Sequence, residues 1–168
     1  MEDKRIYTCC FSGHRPNNLP WKYNEQGIKF LFFKFKLKHK IKSAINNGYK
    51  YFISGMALGC DILCAEIIIQ FKKQNPNIKL ECAIPCSNQT EKWFGNNLKR
   101  YEKILSKADK ITYVSLSKYF NGCMMKRNNY MINSSSSIIA IYNGTPGGTQ
   151  QTIKKAKEKG LKITIIKP

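Results

Sequence analysis

The segment Ser12-Gly13-His14-Arg15-Pro16 sets a histidine and an arginine beside a glycine. A guanidinium grips phosphate or carboxylate through two parallel N–H groups, which an ammonium cannot do. Arg15 is one of four arginines in a chain with 29 Lys plus Arg, so it stands against the chain's own preference for lysine. The competing reading is an arginine that pins its own loop. His14 reads as a hydrogen-bonding ligand contact, or as a base where a substrate offers a proton.

A second stretch, Ser54-Gly55-Met56-Ala57 followed by Gly59 and Asp61, is a nearly charge-free elbow between an apolar run and a helical pattern. Glycine lets a backbone approach another molecule closely, and a helix start offers free N–H groups to an anion. Asp61 is sufficiently explained as a carboxylate at a helix start. If Asp61 and Glu66 both face a ligand, they could hold a ribose or act as an acid pair on a glycosidic bond. Five residues apart on a helix, they need not share a face.

The run Asn143-Gly144-Thr145-Pro146-Gly147-Gly148-Thr149 suits a phosphate held by the Gly148 and Thr149 N–H groups, with the Thr149 hydroxyl helping. Neither the GxGxxG fingerprint nor the GxxxxGK[ST] loop is present, which argues against nicotinamide redox chemistry and ATP hydrolysis. No cofactor is expected. Pro85, Cys86, Gln89 and Trp93 fall in one further stretch, and Tyr119, Arg127 and Asn128 in another. Rings stack on a base, amides read its edge, and arginine holds phosphate. Met124, Met125 and Met131 read as packing. The vocabulary is that of a nucleotide site more than of an acyl or peptide site.

These stretches need elements to bring them together. Apolar runs at residues 6–11, 51–53, 78–84, 110–114, 137–142 and 161–166 read as strands. Between them lie helical patterns at about 28–47, 60–73 and 90–106, a short one after Gly122, and one from the glycine-rich run to Lys159. The first helix is basic and amphipathic: Phe30, Phe33, Leu37, Ile41 and Ala44 recur at helical spacing, and the pattern suits a sheet-facing helix. A membrane-surface helix shares that pattern and is the lesser reading. Alternating strand and helix predict an α/β fold, a Rossmann-like three-layer sandwich with a mostly parallel sheet and helices on both faces. Each chemical stretch follows a strand, so all converge on the rim at the strands' carboxyl ends, where such folds bind ligands.

Length fits one domain over residues 1–168 with a real core, at 42% hydrophobic content. No apolar run is long enough for a membrane span, and no secretory signal opens the chain. Seven cysteines then agree with a reducing, cytoplasmic setting. The Cys60/Cys64 and Cys82/Cys86 spacings invite a metal reading, but zinc pairs are usually closer and on loops, so no metal is expected. The net charge of +19 favours polyanionic partners, and compositional bias explains it equally well.

Taken together, "FSGHRPNNLP", "ISGMALGCDILCAE", "AIPCSNQTEKW", "RYEKIL", "CMMKRNNYMI" and "YNGTPGGT" resemble the YpsA-like branch of the SLOG superfamily over nearly the whole chain. The resemblance implies a Rossmann-like domain that binds nucleotides or nucleotide-derived ligands, with phosphoribohydrolases and DNA-processing DprA proteins as more distant relatives. It implies that Gly55, Met56, Ala57 and Gly59 line the ligand pocket with Gly147, Gly148 and Thr149, and that oligomers form. The phosphoribohydrolases carry PGGxGTxxE, whereas "PGGTQQTIKK" puts no glutamate after its threonine.

Three functions follow as expectations. The first is a non-catalytic binder of a cyclic nucleotide or ADP-ribose-like signal, acting as a sensor or, if phage-borne, as a sponge against antiphage immunity. A chain of this length without an effector domain favours the stand-alone binder. The second is a nucleotide N-glycosidase using Glu66 or Asp61. The third is a DprA-like binder of single-stranded DNA, favoured by the charge.

Overall fold

The computed structural model describes residues 3–168. Six strands carry the frame: β1 (Thr8–Gly13), β2 (Tyr51–Ser54), β3 (Lys79–Ile84), β4 (Lys110–Tyr113), β5 (Ser137–Ile141) and β6 (Lys162–Ile166). They form one sheet in the order β4-β3-β2-β1-β5-β6, and every neighbouring pair is parallel. Five helices connect them: α1 (Ile28–Asn46), α2 (Cys60–Gln74), α3 (Gly95–Leu105), α4 (Cys123–Asn133) and α5 (Gly148–Glu158). Parallel neighbours require such crossovers, and the crossovers cover both faces.

Strand alternation divides the core in two. Cys9, Phe11, Phe52, Leu80, Cys82 and Ile84 face α1, α2 and α3, meeting Phe33, Leu37, Ile62 and Ile104 in the larger cluster. Cys10, Ile53, Ala83 and Ile138 face the other way, against Met131 and Ile132 of α4 and Ala156 of α5. All seven cysteines are buried and unpaired, packing as small hydrophobes.

The chain runs outward from β1 through β2 and β3 to β4, then returns through α4 to β5 on the other side of β1. The order therefore reverses between β1 and β5, and loops leaving those two strands diverge to opposite faces. That reversal opens a crevice at the carboxyl edge.

Two local differences from the sequence expectations have physical causes. Lys4–Tyr7 forms a 3-10 turn, capped by the Asp3 side chain accepting from the Arg5 N–H, so β1 begins at Thr8 rather than Ile6. Residues 90–92 are turn and 93–94 irregular rather than helix, and α3 begins at Gly95. There Asn88 ties the segment elsewhere: its Nδ2 donates to Glu91 and its Oδ1 accepts the Tyr119 N–H. Local side-chain bonds of this kind compete with helix formation.

Candidate functional site

At the β1/β5 reversal lies a cavity of about 230 Å3. Its walls come from the β1 exit, the elbow after β2, the first turns of α4 and the start of α5.

From β1 come Phe11, Ser12, Gly13, His14 and Arg15. Ser12 is the penultimate residue of the strand and is buried, while Arg15, two residues past its end, is exposed at the lip. His14 is buried, and its Nε2 accepts the Asn143 N–H at 3.2 Å. Burial holds its imidazole below the usual histidine range, opposed by the Asn143 side chain, and the bond accepted at Nε2 is one that only the neutral ring can make. Asn143 thereby joins the β5 exit to the β1 exit. Its Oδ1 also accepts from the Thr145 N–H and hydroxyl, folding the glycine-rich run back on itself.

The elbow after β2 is built around a close approach. Arg127 of α4 donates through Nη1 to the Gly55 carbonyl, and a methyl group at Gly55 would overlap that guanidinium and stand 2.8 Å from Asp61 Oδ2. Met56 follows with φ +57 and is wholly buried, a left-handed conformation that costs a non-glycine residue about 1–3 kcal/mol. The Ser54 hydroxyl accepts the Met56 N–H at 3.2 Å and donates to the Asp61 carbonyl at 2.9 Å. Gln89 donates to the Met56 carbonyl at 3.0 Å, bracing the elbow from behind. Gly59 has φ +95, and a Cβ there would meet the His14 carbonyl at 2.8 Å.

Asp61, in the first turn of α2, is 5% exposed and lines the cavity. Its Oδ2 accepts the Ala57 N–H at 3.3 Å and lies 3.6 Å from Arg127 Nη1. Burial pushes its carboxyl above the usual range, opposed by Arg127, the Ala57 N–H and Arg15. Burial likewise pulls Arg127 down, opposed by Asp61. Arg127 Nε donates to Asn128 Oδ1 at 2.8 Å, and Asn128 Nδ2 donates to the Thr152 hydroxyl at 2.9 Å, linking α4 to α5.

Pro146, Gly147, Gly148 and Thr149 close the cavity. Gly147 precedes the first residue of α5, so the free N–H groups of that turn open here. Two guanidinium groups, a helix N-terminus and one carboxylate thus share the cavity. Its balance favours an anion with a hydroxyl-bearing neighbour.

Of the residues singled out in the sequence, the cavity gathers Ser12, Gly13, His14, Arg15, Ala57, Asp61, Arg127, Asn128, Gly147, Gly148 and Thr149. Ser54, Gly55, Met56, Gly59, Gln89 and Asn143 sit behind them as supports. Pro85 and Cys86 are buried in the β3 exit and do not line the cavity. Trp93 packs edge-on against Tyr101 at 5.4 Å, on the larger core, which occupies the ring as packing rather than as a base platform. Tyr119 is 63% exposed on the 115–122 loop and stays outside the cavity. Glu66 is elsewhere: both its oxygens accept from Arg100 at 2.8 Å, and Arg100 also donates to Glu25 at 3.0 Å. Phe11, Asn18 and Pro146 line the cavity without having been singled out as site residues in the sequence, and Met124, read there as packing, lines it too. For Met124 the signal was its place beside Arg127 on one helical turn.

Among known proteins, the YpsA profile, described as the YspA SLOG family, matches residues 9–168. A UPF0398 protein of Bacillus thuringiensis strain Al Hakam is 28% identical over 152 residues, spanning 89% of this chain and 82% of the relative. A UPF0398 protein of Bacillus cereus strain Q1 is similar to the same extent, 28% over 152 residues. The fold is similar to DNA processing protein A of Streptococcus pneumoniae, with TM-score 0.66 and 15% identity over 98% of this chain. It is also similar to DNA processing protein A of Helicobacter pylori, described for its single-stranded DNA binding mode, with TM-score 0.62 and 17% identity over 94% of this chain. This chain spans 52% and 64% of those two chains' lengths, respectively.

Proposed function

Since the chain belongs to the YspA SLOG family over residues 9–168, we propose that it binds a nucleotide-derived small molecule in the β1/β5 crevice and holds it without turnover. One observation carries this reading: Arg15, the buried Asp61–Arg127 pair and the free N–H groups of α5 meet in one cavity at the sheet's reversal point. A phosphate is bound by Arg15 and the Gly148 and Thr149 N–H groups. Asp61 accepts from a ribose hydroxyl. The cavity, about 230 Å3, is below the roughly 300–1,000 Å3 of drug-sized sites. It takes a sugar phosphate, and the rest of a cyclic nucleotide or ADP-ribose-like signal lies over the rim.

The placement of the carboxylates supports holding without cleavage. Glycoside chemistry uses a pair flanking the bond, commonly about 5–10 Å apart. Asp61 lines the cavity, whereas Glu66 is held in the bidentate Arg100 pair outside it. A binder of this kind serves as a sensor, or as a sponge where an immune signal must be removed.

To test this, the protein is mixed at stoichiometric concentration with a panel of mono-, di- and cyclic nucleotides and ADP-ribose derivatives, filtered, then heated, and both fractions are analysed by mass spectrometry. A species depleted from the filtrate and returned intact on heating is the expected result. Conversion to base and sugar phosphate would overturn the non-catalytic reading.

The net charge of +19 and the likeness in fold to DNA processing protein A favour a second reading, a single-stranded DNA binder. It requires affinity that rises with strand length and falls steeply with salt.

A further inference from the structure

Packing on the sheet accounts for only one face of α1. Phe30, Phe33, Leu37 and Ile41 are buried in the larger core. On the opposite face, at spacings of three, four and seven, Ile28, Leu31, Phe32 and Phe35 are 83%, 54%, 73% and 73% exposed. Lys29, Lys36, Lys38, Lys40 and Lys42 of the same helix are exposed too, and α1 contains no acidic residue. Beyond Phe35 the surface dips into a groove of about 510 Å3, walled by Ile45, Phe71 and Ile78 beneath Lys38 and Lys42.

We infer that this outer face of α1 docks on an anionic lipid surface, with Phe32 and Phe35 entering the acyl boundary and the lysines meeting the headgroups. Exposed apolar side chains bordered by lysine are what an interfacial helix presents. Charge decides between occupants. A second copy would set one row of lysines against another in a chain of net charge +19. A protein partner would need a groove matched to side chains that stand proud of the surface, whereas a bilayer needs none. Anionic headgroups attract lysines near the surface and leave the apolar ridge in contact with hydrocarbon. No helix among the described residues is long and apolar enough to cross a membrane, so the association is peripheral. The site is independent of the nucleotide crevice.

Flotation with vesicles tests it. The full chain should bind vesicles containing about one-third phosphatidylglycerol in phosphatidylcholine at least about tenfold more tightly than phosphatidylcholine alone. Phe32→Ser with Phe35→Ser should weaken that binding by about tenfold or more while leaving the fold intact, because both rings lie outside the core. In a separate Phe32→Trp variant, the introduced indole should shift its emission to the blue on binding and be quenched by brominated lipid. Undiminished binding by the double serine variant, or an indole that stays in water, would mean attraction by net charge alone and would overturn the inference. A dimer in vesicle-free buffer that the double serine variant breaks would also overturn it, assigning the ridge to a second copy.

Discussion

Two buried carboxylates in this fold have opposite surroundings. Asp61, at the crevice, is 5% exposed; Glu81, near the start of β3 on the α4–α5 face, is 2% exposed. Glu81 is saturated with donors from three elements: the Tyr51 hydroxyl at 2.6 Å, the Tyr130 hydroxyl at 2.5 Å and the Thr112 hydroxyl at 2.7 Å, with Lys110 Nζ at 3.3 Å. Burial pushes its carboxyl up, but these hydroxyls and Lys110 outweigh it, and the group lies below the usual glutamate range. Asp61 has the Ala57 N–H and the Arg127 guanidinium, both on Oδ2, and the balance goes the other way. A carboxylate whose donors are all supplied by the protein stabilises the fold. One left short of donors at a cavity wall is available to a ligand. The two acids differ in what they lack, not in how deeply they are buried.

The largest effect expected from this contrast is on Asp61. Asp61→Ala leaves the Arg127 guanidinium, itself 5% exposed, without its carboxylate. Breaking a buried pair from one side costs about 3–5 kcal/mol. Urea denaturation should show a loss of that size. A loss well below that range would show that the Gly55 carbonyl and Asn128 satisfy Arg127 without the carboxylate, and Asp61 would then have no part in holding the rim.

Next comes the proposed preference of the crevice for anions. A Cβ at Gly148 meets nothing within 4 Å, so Gly148→Asp fits the backbone. An acid in the first turn of α5 favours the helix, so the melting temperature should hold or rise. A carboxylate facing the ligand phosphate should nonetheless lower affinity about 100-fold, close to 2.7 kcal/mol. Arg15→Ala, at an exposed position, should lower it about tenfold with the fold unchanged. Titration calorimetry with the tightest-binding nucleotide of the panel reads both. Full affinity in both variants would move the site away from this crevice.

Glu81→Gln should cost about 1–3 kcal/mol of stability, the range for leaving buried polar groups imperfectly paired, and should not alter nucleotide affinity. Its pH signature is distinct. The folded pKa lies below the ordinary 4.5, so the unfolded chain binds the proton more readily between the two values. Stability from Glu81 is therefore fully present above the unfolded pKa and is lost as pH falls through the folded one. Denaturation from pH 7 to pH 3 should show a steeper acid decline in the parent than in Glu81→Gln.

Much of this was legible in the sequence, for identifiable reasons. Continuous apolar runs in the strands, most of them buried on both faces, and period-three-and-four runs in the helices gave the boundaries of β1–β6, α1 and α2 to within two residues, because burial writes itself into residue spacing. The rule that crevices open at carboxyl edges put His14, Arg15, Asp61 and Gly148 on one rim. What the rule could not supply was direction. Trp93 and Tyr119 have the chemistry of base platforms, yet one ring is packed on Tyr101 and the other is outside the cavity. Glu81 had no signal, since its donors lie 30, 31 and 49 residues away along the chain. The second apolar face of α1 was in the pattern throughout, hidden by the first.

The smallest effect sharpens the comparison from outside, through a third carboxylate. Glu66 lies five residues along α2 from Asp61, too far round the helix to share its face, and Arg100 and Glu25 join it in a half-buried ion network. Such partly exposed pairs contribute up to about 1 kcal/mol. Glu66→Gln should therefore lower stability by no more than that, keep one hydrogen bond from Arg100, and leave nucleotide affinity and product profile unchanged. Were the panel to reveal cleavage that Glu66→Gln abolishes while binding persists, the acid would have to leave Arg100 and reach the crevice. The division of carboxylates between holding the fold and meeting the ligand would then fail at Glu66 rather than at Glu81.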